Sequence, residues 1–364
     1  MFERSNIRRM SGYIPGEQPP APAIKLNTNE NPLEPSASVM TALAEISPAM
    51  LQRYPDSLAT NLRAAIAHYH GRDVDEVIVT NGSDELLRLV VTTFLDPGKA
   101  IGVLNPGYHL YNVLAEIQNC PLAKVNLRDD WLPPDDTAQR WNDAGARLAL
   151  VANPQAPSGR LLSQNWLIEL AEAFHGVLLV DEAYVDFVDA SLGYELVREI
   201  GRIPNLLIAR TLSKGHSLAG LRLGYGLGAA ELVAPMLHKV RDSYNVDVIT
   251  QHLGRAAFGD TQRARESWIL VRGERGRLAQ ALGKLGIETL PSQGNFLLAH
   301  IPATFNGAKA LQMRLAGQNI HVRWLNFSRL TDWLRISIGT IAENDRLLAA
   351  IEAILASGKV GTVC

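Results

Sequence analysis

Five apolar runs in the first two thirds of the chain each end on a polar tip. Val77-Ile-Val-Thr80 leads into Asn81-Gly-Ser-Asp84, Ile101-Gly-Val-Leu104 into Asn105-Pro-Gly-Tyr108, and Leu148-Ala-Leu-Val-Ala152 into Asn153-Pro154. Val177-Leu-Leu-Val180 leads into Asp181-Glu-Ala-Tyr184, and Leu206-Leu-Ile-Ala-Arg-Thr-Leu212 into Ser213-Lys214. Runs this apolar read as strands buried on both faces, and the helical periodicity between them, as in Glu85–Phe94 and Trp166–Phe174, supplies the covering helices. The pattern predicts an α/β fold whose mainly parallel sheet is sandwiched by helices. A parallel sheet puts all its carboxyl ends along one edge, so the five tips should converge on one cleft.

Around this frame the organisation is coarse. Residues 1–35, rich in Pro, Asn and Gly from Ser11 onward, read as an extended N-terminal arm; residues 36–245 form the large domain. Past Tyr244 a long helical stretch over roughly Val248–Leu285 leads into a smaller α+β domain, 246–364, with strands at Phe296–His300, Ile320–Arg323 and Trp333–Thr340. The arm is expected to pack with that smaller domain. The chain has 364 residues and a formal net charge of −2, which points away from nucleic acid or an anionic membrane as partner. No apolar stretch has the length of a signal peptide or a membrane span, and the two cysteines, Cys120 and Cys364, make neither a disulfide framework nor a zinc site. A soluble, cytoplasmic protein is expected.

The tips carry the chemistry. Lys214 sits in a loop after a strand, where burial and a nearby arginine would favour the neutral amine and permit Schiff-base formation, although an isolated lysine there is equally a surface residue. Asp181, directly after four buried positions, needs a partner to offset desolvation; a protonated ring nitrogen is one, a helix N-cap another. Gly82, Ser83 and Asp84 open a helix and can hold a phosphate or merely cap it. Arg222 can close on the same phosphate, and Tyr108 can stack on a planar ring. An amine for an aldehyde, an acid for a ring nitrogen, an aromatic face and phosphate donors together fit pyridoxal 5'-phosphate. A competing class, a nicotinamide-dependent enzyme, rests on Gly224-Tyr-Gly226-Leu-Gly-Ala229, a G-x-G-x-x-A match without the strand-turn-helix unit that the motif requires.

The motifs Lys25-Leu-Asn-Thr-Asn-Glu-Asn-Pro32, Arg53-Tyr-Pro-Asp56, Asn81-Gly-Ser-Asp-Glu85, Asn153-Pro154 with Pro157-Ser-Gly159, Asp181-Glu-Ala-Tyr184, Thr211-Leu-Ser-Lys214 through Arg222, Asn295-Phe296, and Val322-Arg323 with Leu334-Arg-Ile-Ser-Ile-Gly-Thr340 run the length of the chain. In order and spacing the sequence resembles fold-type I pyridoxal-phosphate aminotransferases, most closely the histidinol-phosphate aminotransferase branch. The resemblance implies that Lys214 bonds to the cofactor aldehyde and afterwards moves the substrate proton, while Asp181 keeps the ring nitrogen protonated. It implies that Asn153 and Tyr184 bind the ring's phenolic oxygen, that Tyr108 stacks on the ring, and that Gly82, Ser83, Asp84, Ser213 and Arg222 hold the phosphate. Tyr54 would join that phosphate site from a second subunit, making a homodimer. Arg335 and Arg323 would take the substrate's anionic end under Tyr13. Two arginines fork onto a carboxylate or a phosphate equally well, so they do not choose the substrate. The implied reaction moves an amino group from histidinol phosphate to 2-oxoglutarate; an aminotransferase for aromatic or other amino acids, or a threonine-phosphate decarboxylase, is the alternative. Departures from the family pattern, Gln155, Ala156 and Ser158, then Gly215-His216-Ser217, and Trp324, fall where they would reshape the substrate pocket.

Overall fold

The computed structural model describes residues 2–359. Its strands are β1 (Ile24–Leu26), β2 (Val77–Asn81), β3 (Ala100–Asn105), β4 (Leu122–Asn126), β5 (Ala146–Ala152), β6 (Val177–Asp181), β7 (Leu206–Thr211), β8 (Leu223–Gly228), β9 (Glu288–Thr289), β10 (Phe296–His300), β11 (Ile320–Trp324) and β12 (Trp333–Ser337). Seven of them form one sheet in the order β2-β8-β7-β6-β5-β3-β4, parallel except for β8, which runs antiparallel to both its neighbours. Period-two alternation explains why both faces are covered. In β7, Leu206 and Ile208 enter the core on one side, Leu207 and Ala209 the core on the other.

The sequence pattern leaves out β8, and its glycines show why. A Cβ on Gly224 would meet the backbone of Gly82 and Ser83, and one on Gly226 would press on Ile78 and Leu86 at 3.0 Å. The segment is a strand kept bare so that helix Gly82–Phe94 packs directly on it, not a dinucleotide loop; the nicotinamide reading falls with that observation.

The smaller sheet has the order β1-β11-β12-β10-β9. Arm residues Ile24–Leu26 pair in parallel with Ile320–Val322, so the arm supplies an edge strand and is not merely extended. Its first turn of helix, Ser5–Arg9, lies on the other unit: Arg4 and Asn6 donate to the carbonyls of Ile117 and Glu116. The expected single helix over Val248–Leu285 is two helices, Val248–Gly259 and Gln262–Lys284. Leu253, Ala257 and Phe258 of the first belong to the core of the seven-stranded unit, whereas Val271, Leu278 and Leu282 of the second belong to the core of the smaller one. The break near Thr261 thus separates a helix that enters one core from a helix that enters the other. Cys120 is buried, and Cys364 lies outside the described residues. No helix among the described residues is long and apolar enough to cross a membrane.

Candidate active site

A cavity of about 990 Å³ opens at the carboxyl edge of the large sheet and is closed by the arm and the smaller sheet. Its floor comes from neighbouring strand ends. Asp181 is the last residue of β6 and aligns with Ala209 of β7, so Lys214, five residues further along the chain, borders the same space. Lys214 is not in a loop. It sits in a single helical turn, Leu212–Gly215, whose first exposed N–H, that of Ser213, is accepted by the Thr211 hydroxyl at 3.1 Å. Two distant side chains take that turn's unpaired carbonyls. Asn31 donates to Lys214 O at 2.9 Å, and the Trp268 indole donates to Gly215 O at 2.7 Å.

Lys214 Nζ donates to the Thr28 carbonyl at 2.9 Å, a neutral partner. Burial first, then the positive charge of Arg335, lowers its pKa to about 8. Asp181 moves the other way: burial raises its carboxyl to about 6, against hydrogen bonds from Tyr111 Oη at 3.0 Å and the Ala183 N–H at 3.1 Å. An amine that readily gives up its proton thus shares a cavity with a carboxylate whose charge has no cationic partner among the described residues.

At one end of the cavity Gly82 begins a helix at φ +76°, and a Cβ there would stand 2.5 Å from the Arg222 guanidinium. Arg222 reaches Ser213 Oγ at 3.5 Å and Asp84 Oδ2 at 3.6 Å. Ser83, Asp84, Ser213 and Arg222 all line the cavity, the first two at the start of a helix with no side-chain cap, where N–H groups lack intrahelical partners. At the other end, Arg323 of β11 and Arg335 of β12 are direct cross-strand partners. Like charges opposite each other on a sheet repel. Arg335 donates from one Nη to Asn27 O at 2.9 Å, its Nε is buried without a partner among the described residues, and burial lowers its pKa. Arg323 donates to the carbonyls of Ile14 and Pro15, next to Tyr13. A bound anion would satisfy both guanidinium groups.

The remaining predicted residues divide. Tyr184 follows β6, lines the cavity and accepts from Asn29 Nδ2 at 3.1 Å, which leaves its own O–H free to donate; burial raises its pKa. Tyr108 lines the cavity edge-on to Tyr111, with ring centroids 5.4 Å apart. Asn153 does not reach the cavity. Fully buried, it accepts from Leu162 N at 2.7 Å and donates to Leu162 O at 3.2 Å, so its amide fixes a loop, of which Ala156 and Pro157 line the cavity. Tyr54 is 80% exposed and stacks on Tyr244 at 4.4 Å, away from this chain's own cavity. His216, among the departures from the family pattern, is buried between Phe258 and Trp268.

The residue that sequence reasoning missed is Tyr111. It lies three positions after Tyr108 on helix His109–Gln118, hence on the same face, and that spacing was the available signal.

The sequence profile of aminotransferase class I and II matches residues 21–351. The chain belongs to the class I and II aminotransferases. Among relatives, this aminotransferase is 38% identical to a histidinol-phosphate aminotransferase from Synechocystis sp., with 97% of this chain and 98% of the relative covered. It is 39% identical to one from Geotalea daltonii, with 96% and 98% covered. Among solved structures it is similar to histidinol-phosphate aminotransferase from Sinorhizobium meliloti in complex with pyridoxal-5'-phosphate, at 25% identity and a TM-score of 0.86 over 92% of this chain and 91% of that one.

The residues present fit such a cofactor. The glycine at the helix start leaves a cradle beside Arg222, Lys214 is an amine of lowered pKa, and Asp181 is a buried carboxylate with only neutral partners.

Proposed function

We propose that this aminotransferase uses pyridoxal 5'-phosphate to transfer the amino group of histidinol phosphate to 2-oxoglutarate, as a cytoplasmic homodimer. The observation that carries the reading is the single cavity that holds Lys214, Asp181 and the cross-strand arginine pair together. The names of the relatives supply the donor.

The cofactor, when bound, supplies an aldehyde for the amine and a ring that takes up the electron pair left as the substrate α-proton departs. The chain's own residues do the rest. Gly82, Ser83, Asp84, Ser213 and Arg222 would hold its phosphate, and Tyr108 would flank the ring. The Asp181 carboxylate would hold a proton at the ring nitrogen; Tyr111 O–H and Ala183 N–H keep that carboxylate ionised and oriented. Tyr184 would donate its O–H to the ring's phenolic oxygen, without the Asn153 amide. Lys214 Nζ would attach the aldehyde and then, as a free amine whose pKa is lowered to about 8, accept the proton from the substrate α-carbon. Arg323 and Arg335 would bind the donor's phosphate and, in the second half of the cycle, a carboxylate of the oxo acid, since one guanidinium pair serves both. Tyr13, on the arm beside Arg323, would shield that end from water. The homodimer rests on Tyr54, whose exposed ring has no role in its own cavity and would complete the partner's phosphate site.

The test is a panel of amino donors with 2-oxoglutarate and the loaded enzyme. Glutamate formation fastest from histidinol phosphate is expected; carbon dioxide release, or a clear preference for another amino acid, overturns the substrate.

A further inference from the structure

The mouth of the cavity carries three aromatic side chains, two of which, His109 and Phe327, none of the roles above uses. Tyr13 of the arm, His109 at the start of helix His109–Gln118 and Phe327 of the connection between β11 and β12 come from three separate parts of the fold and meet there. The His109 ring lies 5.2 Å from Phe327, tilted by 39°, and 6.3 Å from Tyr13, nearly parallel at 29°. Tyr13 and Phe327 keep 41% and 43% of their surface in water, so neither is held there by core packing. Large apolar surface left open beside a cleft with a few polar groups marks a ligand contact. His109 has no hydrogen-bond partner in the protein among the described residues, which leaves its ring nitrogens available. Arg323, by donating to Ile14 O and Pro15 O, brings the anion-binding end and Tyr13 side by side.

We infer that His109, flanked by Phe327 and Tyr13, is the subsite for a planar nitrogen heterocycle on the amino donor and selects donors that carry one. The inference rests on the amino-donor reading above. A five-membered ring with one N–H and one bare nitrogen can lie against Phe327 and Tyr13 and exchange a hydrogen bond with a His109 nitrogen. A short carboxylate side chain such as that of glutamate gains neither contact. The selection thus comes from this wall and not from the arginine pair, which accepts any anion.

The test uses the cofactor-loaded enzyme and reads the two half-reactions separately, with histidinol phosphate and with glutamate, in wild type, His109→Ala and Phe327→Leu. For His109→Ala the KM for histidinol phosphate should rise about 5- to 10-fold more than the KM for glutamate, the size of one aromatic contact with a hydrogen bond, while kcat moves by less than about twofold. Phe327→Leu, which keeps an apolar group on an exposed turn, should show the same bias at roughly 2- to 3-fold. Equal losses for both donors, or no change in either variant, overturn the subsite. If wild type rejects histidinol phosphate but accepts an aromatic amino acid, the substrate reading falls, and the same KM ratio measured on that donor decides the wall. A wild type that uses no ring-bearing donor overturns both.

Discussion

Asp181→Asn should stabilise the cofactor-free protein while crippling the enzyme. In the folded chain the Asp181 carboxyl is 4% exposed and lifted from its ordinary value of 3.8 to about 6, mainly by burial. One pKa unit corresponds to about 1.4 kcal/mol, so the buried charge costs about 3 kcal/mol once both states are ionised. The sign follows from the raised folded value. Below pH 4 the group is neutral folded or unfolded and costs nothing; between pH 4 and 6 the unfolded chain ionises first and stability is lost; above pH 6 the full cost remains. Asparagine, like the protonated acid, keeps one acceptor, Oδ1 for Ala183 N, and presents a donor, Nδ2, where Oδ2 accepts from Tyr111; the Tyr111 hydroxyl can turn to accept from it. The variant should gain about 2–3 kcal/mol over wild type at pH 8, or about 3–4 °C in Tm for a chain of this length, and almost nothing at pH 4. Denaturant unfolding of both cofactor-free proteins at pH 4 and pH 8 measures it. Destabilisation at pH 8, or a gain independent of pH, would refute the argument that the carboxylate is kept for a ligand rather than for the fold.

Tyr111→Phe removes a hydrogen bond to an ionised carboxylate, worth about 1.5–3 kcal/mol; the Asp181 carboxyl should rise by about one pKa unit or more, seen as an upward shift of the same pH transition in cofactor-free unfolding, and an unmoved transition would mean that Tyr111 only fills space. Lys214→Met should abolish the visible absorbance of covalently attached cofactor. It should also flatten an alkaline trend in the cofactor-free protein: wild-type Lys214 titrates at about 8 folded against 10.5 unfolded, so stability rises between those values as pH increases, by at most about 3 kcal/mol. Retained absorbance in the variant would remove Lys214 from its role.

The large sheet was readable because buried parallel strands announce themselves as uninterrupted apolar runs, and Lys214 and Asp181 because a polar group directly after such a run must face the carboxyl edge. β8 was not readable, since its glycines answer to the close approach of a helix, a demand that local propensity does not express. The same holds for the break at Thr261: the periodicity of Val248–Lys284 is continuous enough to suggest one helix, and only the two cores that its halves enter separate them.

Residue order therefore settled which groups stand at the strand ends, because alternation and burial are properties of neighbours along the chain. Which of those groups turn toward the cavity depended on contacts between distant segments. Asn153 is spent on Leu162, nine residues on, and Ala156 and Pro157 of the same loop line the wall. Tyr111 reaches Asp181 across seventy positions, Thr28 meets Lys214 across nearly two hundred, and Tyr13, His109 and Phe327 converge from three parts of the fold. Hydrogen bonds and ring contacts act over a few ångströms of space, and no local pattern in the chain encodes which remote partner will stand at that distance.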